Sequence, residues 1–300
     1  MAIDQLVIGT FEQCFKEYFY NELVVGKLAH SEFKNGVKKG DEVDVIMPGT
    51  VLLSKYDGEG ELDAPEKITT SSTKIRIDQG RSFHFVMQDI EKKQIEQAPD
   101  LKQKVNIIKE YAGDAIKQFA AAVDVAYANL YTRAGHYVDD NGNALALSET
   151  NVKELMSFMQ AKFKRGDKNG HTNWIDGQMI AIVPPEFQFF LTKMQDYEYV
   201  ESGHRKMEKG LVGRLAGWDI MVSNNVASVD ESGKTVFYPL FGIKGKTLAG
   251  GVSSNLNTKS YEPERTFNTA YKGYGLFGVG APRADYLGSA KVEATMTIGQ

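Results

Sequence analysis

The chain has 300 residues, 42% hydrophobic and 25% charged, the make-up of a soluble globular protein long enough to bury a full core. A net charge of −4 argues against a protein whose main task is gripping phosphates, and a single cysteine, Cys14, excludes an internal disulfide and a cysteine-rich zinc site. The opening MAIDQLVIGTFEQ lacks the basic-then-apolar order of a secretion signal, and no run approaches the ~18 apolar residues of a membrane span, so a cytoplasmic protein is expected.

Residues 1–40 read as an arm. Phe11, Phe15, Tyr18, Phe19, Leu23 and Val24 recur at helical spacing, and HSEFKNGVKKGD then reads as loop with a short strand. Cys14, among these aromatics, reads as a small buried hydrophobe. Residues 41–79 form a long hairpin. Two strand-like arms flank a tip rich in Gly, Asp and Glu, and the outer arm, 68–77, alternates only weakly and is mostly Ser, Thr and Lys. A two-stranded ribbon is marginal alone in water, and its edges invite another chain. With no core of its own, this hairpin is expected to lie on a neighbour. RSFHFVMQ follows as a half-buried strand, with Phe83, Phe85 and Met87 on one face.

Residues 101–134 carry the clearest periodicity. Val105, Ile108, Ala112, Ala115, Phe119, Val123, Ala126, Leu130 and Ala134 step by three and four, an apolar stripe along a helix opened by Asp100 and stopped by Gly135. At ~1.5 Å per residue that rod is roughly 50 Å long, and it needs a long partner, most simply a sheet crossing it. HYVDDNGNALAL is a turn and re-entry. Ser148 opens a helix with Leu155, Met156, Met159 and Phe163 apolar, and KRGDKNGHTNW is a loop. MIAIVP is a buried strand, and PEFQFFL is a helix with Pro185 in its first turn. GWDIMVSNN and TVFYPLFGI read as strands with DESG as a turn, KTLAGGVSS reads as a short helix, and the segment from Lys259 onward reads as strands returning to an earlier layer. The fold class is α+β. Residues 148–252 look like a domain inserted between the parts of an outer one, 80–147 and 253–300.

Patterns that carry chemistry fail on context. GYGLFG has dinucleotide-binding spacing at Gly273, Gly275 and Gly278, yet reads as strand and has no βαβ unit after it; close backbone approach in a sheet is the better reading. GIKGKT ends like a phosphate loop, but Leu240 stands where the first glycine is required, so Lys244, Lys246 and Thr247 are expected to flank a surface helix. His30, His84, His136, His171 and His204 show no metal-ligand spacing. Asp139, Asp140 and Asp176 are loop acids, and DDNGN is a turn that lacks the distal glutamate of a calcium loop. No metal or cofactor is expected. GHRKMEKG (203–210) is either a solvated loop or one that meets copies of itself around an axis, where alternating charges pair.

In order and spacing, several of these segments resemble the tailed-phage major capsid proteins of the Hong Kong 97-type fold. They are KKGDEVDVIMPG, IRIDQGRSFHFVMQDIEKKQ, the long helix 101–134, MIAIVPPEFQFFL, GLVGRLAGWDIMVSNN, YPLFGIKGKTLAGG and YKGYGLFGVGAPRA, together spanning residues 38–290. The resemblance implies a non-enzymatic virion protein, assembled in host cytoplasm, that forms hexamers and pentamers of an icosahedral head. It implies an extended hairpin loop at 41–79, a spine helix at 101–134, a peripheral sheet domain and an axial domain at 148–252. Further implied partners are a separate scaffolding protein, a portal and non-specifically held double-stranded DNA. Lys55, Tyr56, Glu59 and Glu61 at the hairpin tip, and His204, Arg205, Lys206 and Glu208 in the axial loop, are the expected subunit contacts. The rival readings are a mixed α/β enzyme with a pocket in 148–252 and another virion subunit, such as a head decoration or tail-tube protein.

Overall fold

The structure is a computed structural model. It describes residues 3–34, 39–47, 71–88, 93, 97, 101–165, 177–194, 198–199, 211–231, 233–253, 257–264 and 268–293. Helix α1 (Ile3–Glu22) leads through a 3-10 turn (Val25–Leu28) into strand β1 (Ala29–Lys34). The ribbon strands β2 (Glu42–Met47) and β3 (Ser71–Arg76) precede β4 (Gln79–Met87) and the long helix α2 (Leu101–Ala128). A 3-10 turn (Asn129–Arg133), β5 (His136–Val138), β6 (Leu145–Ala146), α3 (Glu149–Lys164), β7 (Met179–Val183) and α4 (Pro185–Leu191) come next. Then come β8 (Glu198–Tyr199), β9 (Leu211–Leu215), β10 (Trp218–Val222), β11 (Ala227–Glu231), β12 (Lys234–Tyr238), β13 (Leu240–Ile243) and β14 (Leu248–Ser253). β15 (Asn257–Tyr261), β16 (Thr269–Gly280), β17 (Leu287–Ala290) and β18 (Val292–Glu293) close the chain.

Three sheets and the ribbon result. Sheet one runs β1-β14-β16-β15, with β4 on the other side of β16. Sheet two runs β5-β17-β13-β7-β10-β9-β8, and sheet three runs β11-β12-β18-β6. The first core lies between sheet one and the helices α1 and α2. It is an aromatic seam: Phe11 stacks on Phe83 and Phe85 of β4, Phe15 and Phe19 pack on Phe119 of α2, and Phe119 meets Phe277 of β16 edge-on at 5.7 Å. Sheet two is the wall between this core and a second one. Ile180 and Ile182 of β7 face the first core, while Ala181 and Val183 face the second, with Trp218, Phe241, Phe163 and Phe187. A strand buried on both faces reads as a continuous apolar run, which is why MIAIV shows no alternation.

Several expectations hold. Ser148 caps α3 by accepting the Asn151 N–H at 3.1 Å, and α3 buries Leu155, Met156, Met159 and Phe163. DDNGN is a two-residue hairpin turn. Asn141 and Gly142 both have positive φ, and Asp140 and Asn143 exchange backbone hydrogen bonds. Cys14 is buried.

Others need correction. The long helix is α-helical only to Ala128 and tightens to 3-10 over Asn129–Arg133, because the chain must turn into β5; Gly135 donates its N–H to the Ala284 carbonyl where a Cβ would collide. The lengthwise partner of α2 is α1 as much as a sheet, so residues 3–34, read as an arm, are part of the main core. Asp100 and the side chains of Tyr18, Val105 and Ile108 lie outside the described residues. KTLAGGVSS is not a helix: β14 pairs parallel with β1 and antiparallel with β16, and this distant pairing overrides local preference. Lys244, Lys246 and Thr247 flank no helix. They form the turn from β13 to β14, where the buried Thr247 hydroxyl accepts the Ile243 N–H at 2.6 Å. TVFYPLFGI is two strands broken at Pro239, which has no N–H to give a ladder. β9 and β11 were not foreseen. β14 belongs to sheet one, while β17 and β18 close sheets two and three.

Candidate assembly surface

The ribbon β2–β3 has a seat, contrary to the reading that it lacks any core to pack on. At its root Gly40, with φ 97°, donates to the Ile77 carbonyl at 2.8 Å, and Ile77 donates to Asp41 at 2.9 Å. Val43, Ile75 and Ile77 are buried against strands β14 and β16 of sheet one. Glycines floor that seat. A Cβ on Gly251 would stand 2.8 Å from the Val43 methyl, one on Gly280 3.0 Å from Ile75, and one on Gly278 would collide with the Arg76 carbonyl oxygen. The glycine-rich run therefore serves close approach, as its sequence suggests. Farther out, Val45 and Thr73 are only half-buried, and the exposed pair Lys74–Glu42 at 3.1 Å lies across the ribbon. The Glu42 carboxylate raises the Lys74 pKa.

The ribbon root covers one end of the outer face of sheet one, and the rest of that face, along β4, β16 and β15, is open. Period-two alternation sends Phe83, Phe85, Tyr271 and Phe277 inward and Ser82, His84, Lys272 and Tyr274 outward. Across β4, β16 and β15 the outer rows read Val86–Ala270–Tyr261, His84–Lys272–Lys259 and Ser82–Tyr274–Asn257. The Tyr261 hydroxyl and His84 Nε2 are 2.7 Å apart with their rings stacked, and the Lys272 ammonium sits 4.6 Å from the Tyr261 ring centroid. The cleft along these strands is about 470 Å³. Val86, Tyr261 and Tyr274 are 46%, 37% and 47% exposed, so the face is basic and aromatic at once. Two further exposed rings, Phe158 on α3 and Phe189 on α4, each lie under a lysine four residues on, Lys162 at 5.1 Å and Lys193 at 4.2 Å.

Asp124 of α2 ties α1 to the rest. Its two carboxylate oxygens accept the Val24 and Gly26 N–H groups at 2.8 and 2.9 Å, satisfying the start of the 3-10 turn. Burial pushes its pKa up, against the lowering effect of those hydrogen bonds. The residue was missed in sequence, although an acid beside Val123 on the apolar stripe is a legible signal. The glycine seat was also missed as a seat; its signal is Val43/Val45 and Ile75/Ile77 at period two, beside strands rich in glycine.

The expected contacts Lys55, Tyr56, Glu59, Glu61, His204, Arg205, Lys206 and Glu208 all lie outside the described residues, as do His171, Asp176 and Ser232 of DESG. Among the described residues no three His, Cys, Asp or Glu side chains gather to hold a metal ion, and no helix is long and apolar enough to cross a membrane. Three clefts, of about 470, 250 and 470 Å³, lie along α2 and sheet one, and none of the three is lined by residues 148–252.

No family model and no curated protein matches the chain. Solved structures do. The capsid of Ralstonia phage GP4 matches with a TM-score of 0.63 at 11% identity, over 94% of this chain and 92% of that one. A Mycobacterium phage Che8 structure matches at 0.59 and 17%, over 89% and 90%. A virus-like particle from Pyrococcus furiosus matches at 0.54 and 11%, over 97% and 100%. The chain shares the fold of these structures over 89–97% of its length.

Proposed function

We propose that the chain is the major capsid protein of a phage head, a structural subunit and not an enzyme. The observation that carries this is the likeness to a phage capsid subunit over nine-tenths of both chains, with no half of the fold left to another task. In this reading α2 is the spine helix, sheet one with α1 is the lattice floor of the peripheral domain, and residues 148–252, apart from the sheet-one strand β14, form the axial part near five- and six-fold axes. The hairpin, seated at its root, lays its outer part on an adjacent subunit. Lys55, Tyr56, Glu59 and Glu61 make that contact, and His204, Arg205, Lys206 and Glu208 pair around the axes. The open face of β4–β16–β15 and the rings of Phe158 and Phe189 are described surfaces suited to neighbours, since exposed apolar patches mark interaction sites.

Head-to-tail contacts of this kind close into rings when the rotation closes, giving hexamers and pentamers. Each contact is modest, and many act together. A net charge of −4 suits a wall that encloses double-stranded DNA without holding it fast. A separate scaffolding protein and a portal complete the head, which assembles in host cytoplasm. The full coverage of the Pyrococcus furiosus subunit favours a second reading, a closed shell that is not a phage head. Size-exclusion chromatography of the expressed chain tests both: particles of megadalton size are expected. A small ring or a monomer would refute a shell, and a shell that never takes up DNA when expressed with its packaging partners would favour the second reading.

A further inference from the structure

Where the end of α2 meets sheet three, the fold gathers three phenols. Tyr131, on the 3-10 turn after α2, stacks on Tyr238 at the end of β12, with centroids 4.1 Å apart and planes 17° apart. That is closer than the 4.5–7 Å common for aromatic pairs. The Tyr238 hydroxyl donates to Glu231 Oε1 at 3.4 Å, and Lys291 holds the other carboxylate oxygen, Oε2, at 2.8 Å. Tyr238 is 6% exposed, Tyr131 is partly exposed, and Tyr137 on neighbouring β5 is 46% exposed. Burial and neighbouring phenols and acids push the Tyr137 hydroxyl up to about 12, and burial with Glu231 raises that of Tyr238. The Tyr238 phenol is thus held in its neutral form, so it loses an electron and a proton together when oxidised. A carboxylate hydrogen-bonded to the phenol is a ready acceptor for that proton.

We propose that Tyr131 and Tyr238 are an oxidative cross-linking site, at which a one-electron oxidant of the peroxide-driven haem peroxidase class joins the two rings as an intrachain dityrosine. Each phenol gives one electron to the oxidant and its hydroxyl proton to solvent, that of Tyr238 by way of Glu231. The two ring radicals then pair, forming one carbon–carbon bond between carbons ortho to the hydroxyls. The hydrogen on each joined carbon moves to its own phenol oxygen, restoring both aromatic rings. The peroxide takes up two electrons and two protons and leaves as two waters. The chain loses two hydrogen atoms and gains a covalent tie between the end of α2 and β12, elements far apart in sequence.

The stacked geometry favours this pair over other tyrosines because the two rings already lie near-parallel with centroids 4.1 Å apart, which replaces a bimolecular encounter by a local one. The test treats the purified full chain with hydrogen peroxide and a haem peroxidase. It reads the blue biphenol fluorescence and maps linked peptides by mass spectrometry. The expected product is one intrachain link between the peptides bearing Tyr131 and Tyr238. The signal from that link falls to background in Tyr131→Phe and in Tyr238→Phe, whose rings still stack, and persists in Tyr137→Phe. Glu231→Gln slows its formation several-fold without moving it. Links only between other tyrosines, an undiminished signal in either of the first two variants, or loss of the link in Tyr137→Phe would overturn the assignment. An unchanged rate in Glu231→Gln would overturn the role of the carboxylate.

Discussion

Asp124 shows how one residue can carry a long-range connection and a pH dependence together. It accepts two backbone N–H groups from a segment about a hundred residues earlier, yet burial raises its pKa. A carboxyl whose folded pKa is raised favours its protonated form in the native state. Its stabilising contribution is therefore complete below the ordinary aspartate value of ~3.9 and is lost as pH rises through the folded pKa. Asp124→Asn is expected to destabilise the fold at low pH, with a deficit that shrinks as pH rises above the ordinary aspartate value. Urea titrations of both proteins from that value upward check it, and a deficit that grows with pH would contradict it. The glycines argue at the same scale. Gly278→Ala must displace the Arg76 backbone and is expected to cost about 1–3 kcal/mol. Gly113→Ala, in α2 with nothing within 4 Å of its new Cβ, is expected to stabilise by about 0.5–1 kcal/mol. The two midpoints in urea should move in opposite directions.

Among elements, the ribbon separates what its root does from what its length does. Ile75 is 3% exposed against the glycine floor, whereas Lys74 and Glu42 are a solvent-exposed pair. Ile75→Asp should unseat the root and raise hydrogen exchange across Ser71–Arg76 while both main cores stay protected. Lys74→Ala should change stability by less than ~1 kcal/mol. Equal effects of the two on exchange would show that the seat does not hold the ribbon. The elements also show what a sequence discloses. α2, α3, β4 and β7 were legible because each buries a face or a whole strand at its own period, as Ala112, Phe119 and Val123 or Phe83 and Phe85 show. β14 was not, because LAGGVS has no period of its own. Its strand state comes from β1 and β16, and its glycines answer to Tyr127 and Val43, far away in sequence. The break at Pro239 was visible as a residue, but the strands on either side were alike in apolarity.

At the level of the whole molecule, two cores share sheet two as a wall, and the outer face of sheet one carries both the ribbon root and an open aromatic patch. The polar tip and the loop 203–210 were read as places for partners through composition alone, since contacts between copies leave no period in one chain, and both lie outside the described residues. Such a subunit is expected to be finished by its neighbours. Negative-stain microscopy of the purified chain, beside a variant lacking Tyr56–Pro65, tests this most directly. Closed shells from the full chain and a folded, unassembled subunit from the variant are predicted; a lone monomer from the full chain, or intact shells from the shortened one, would contradict the account.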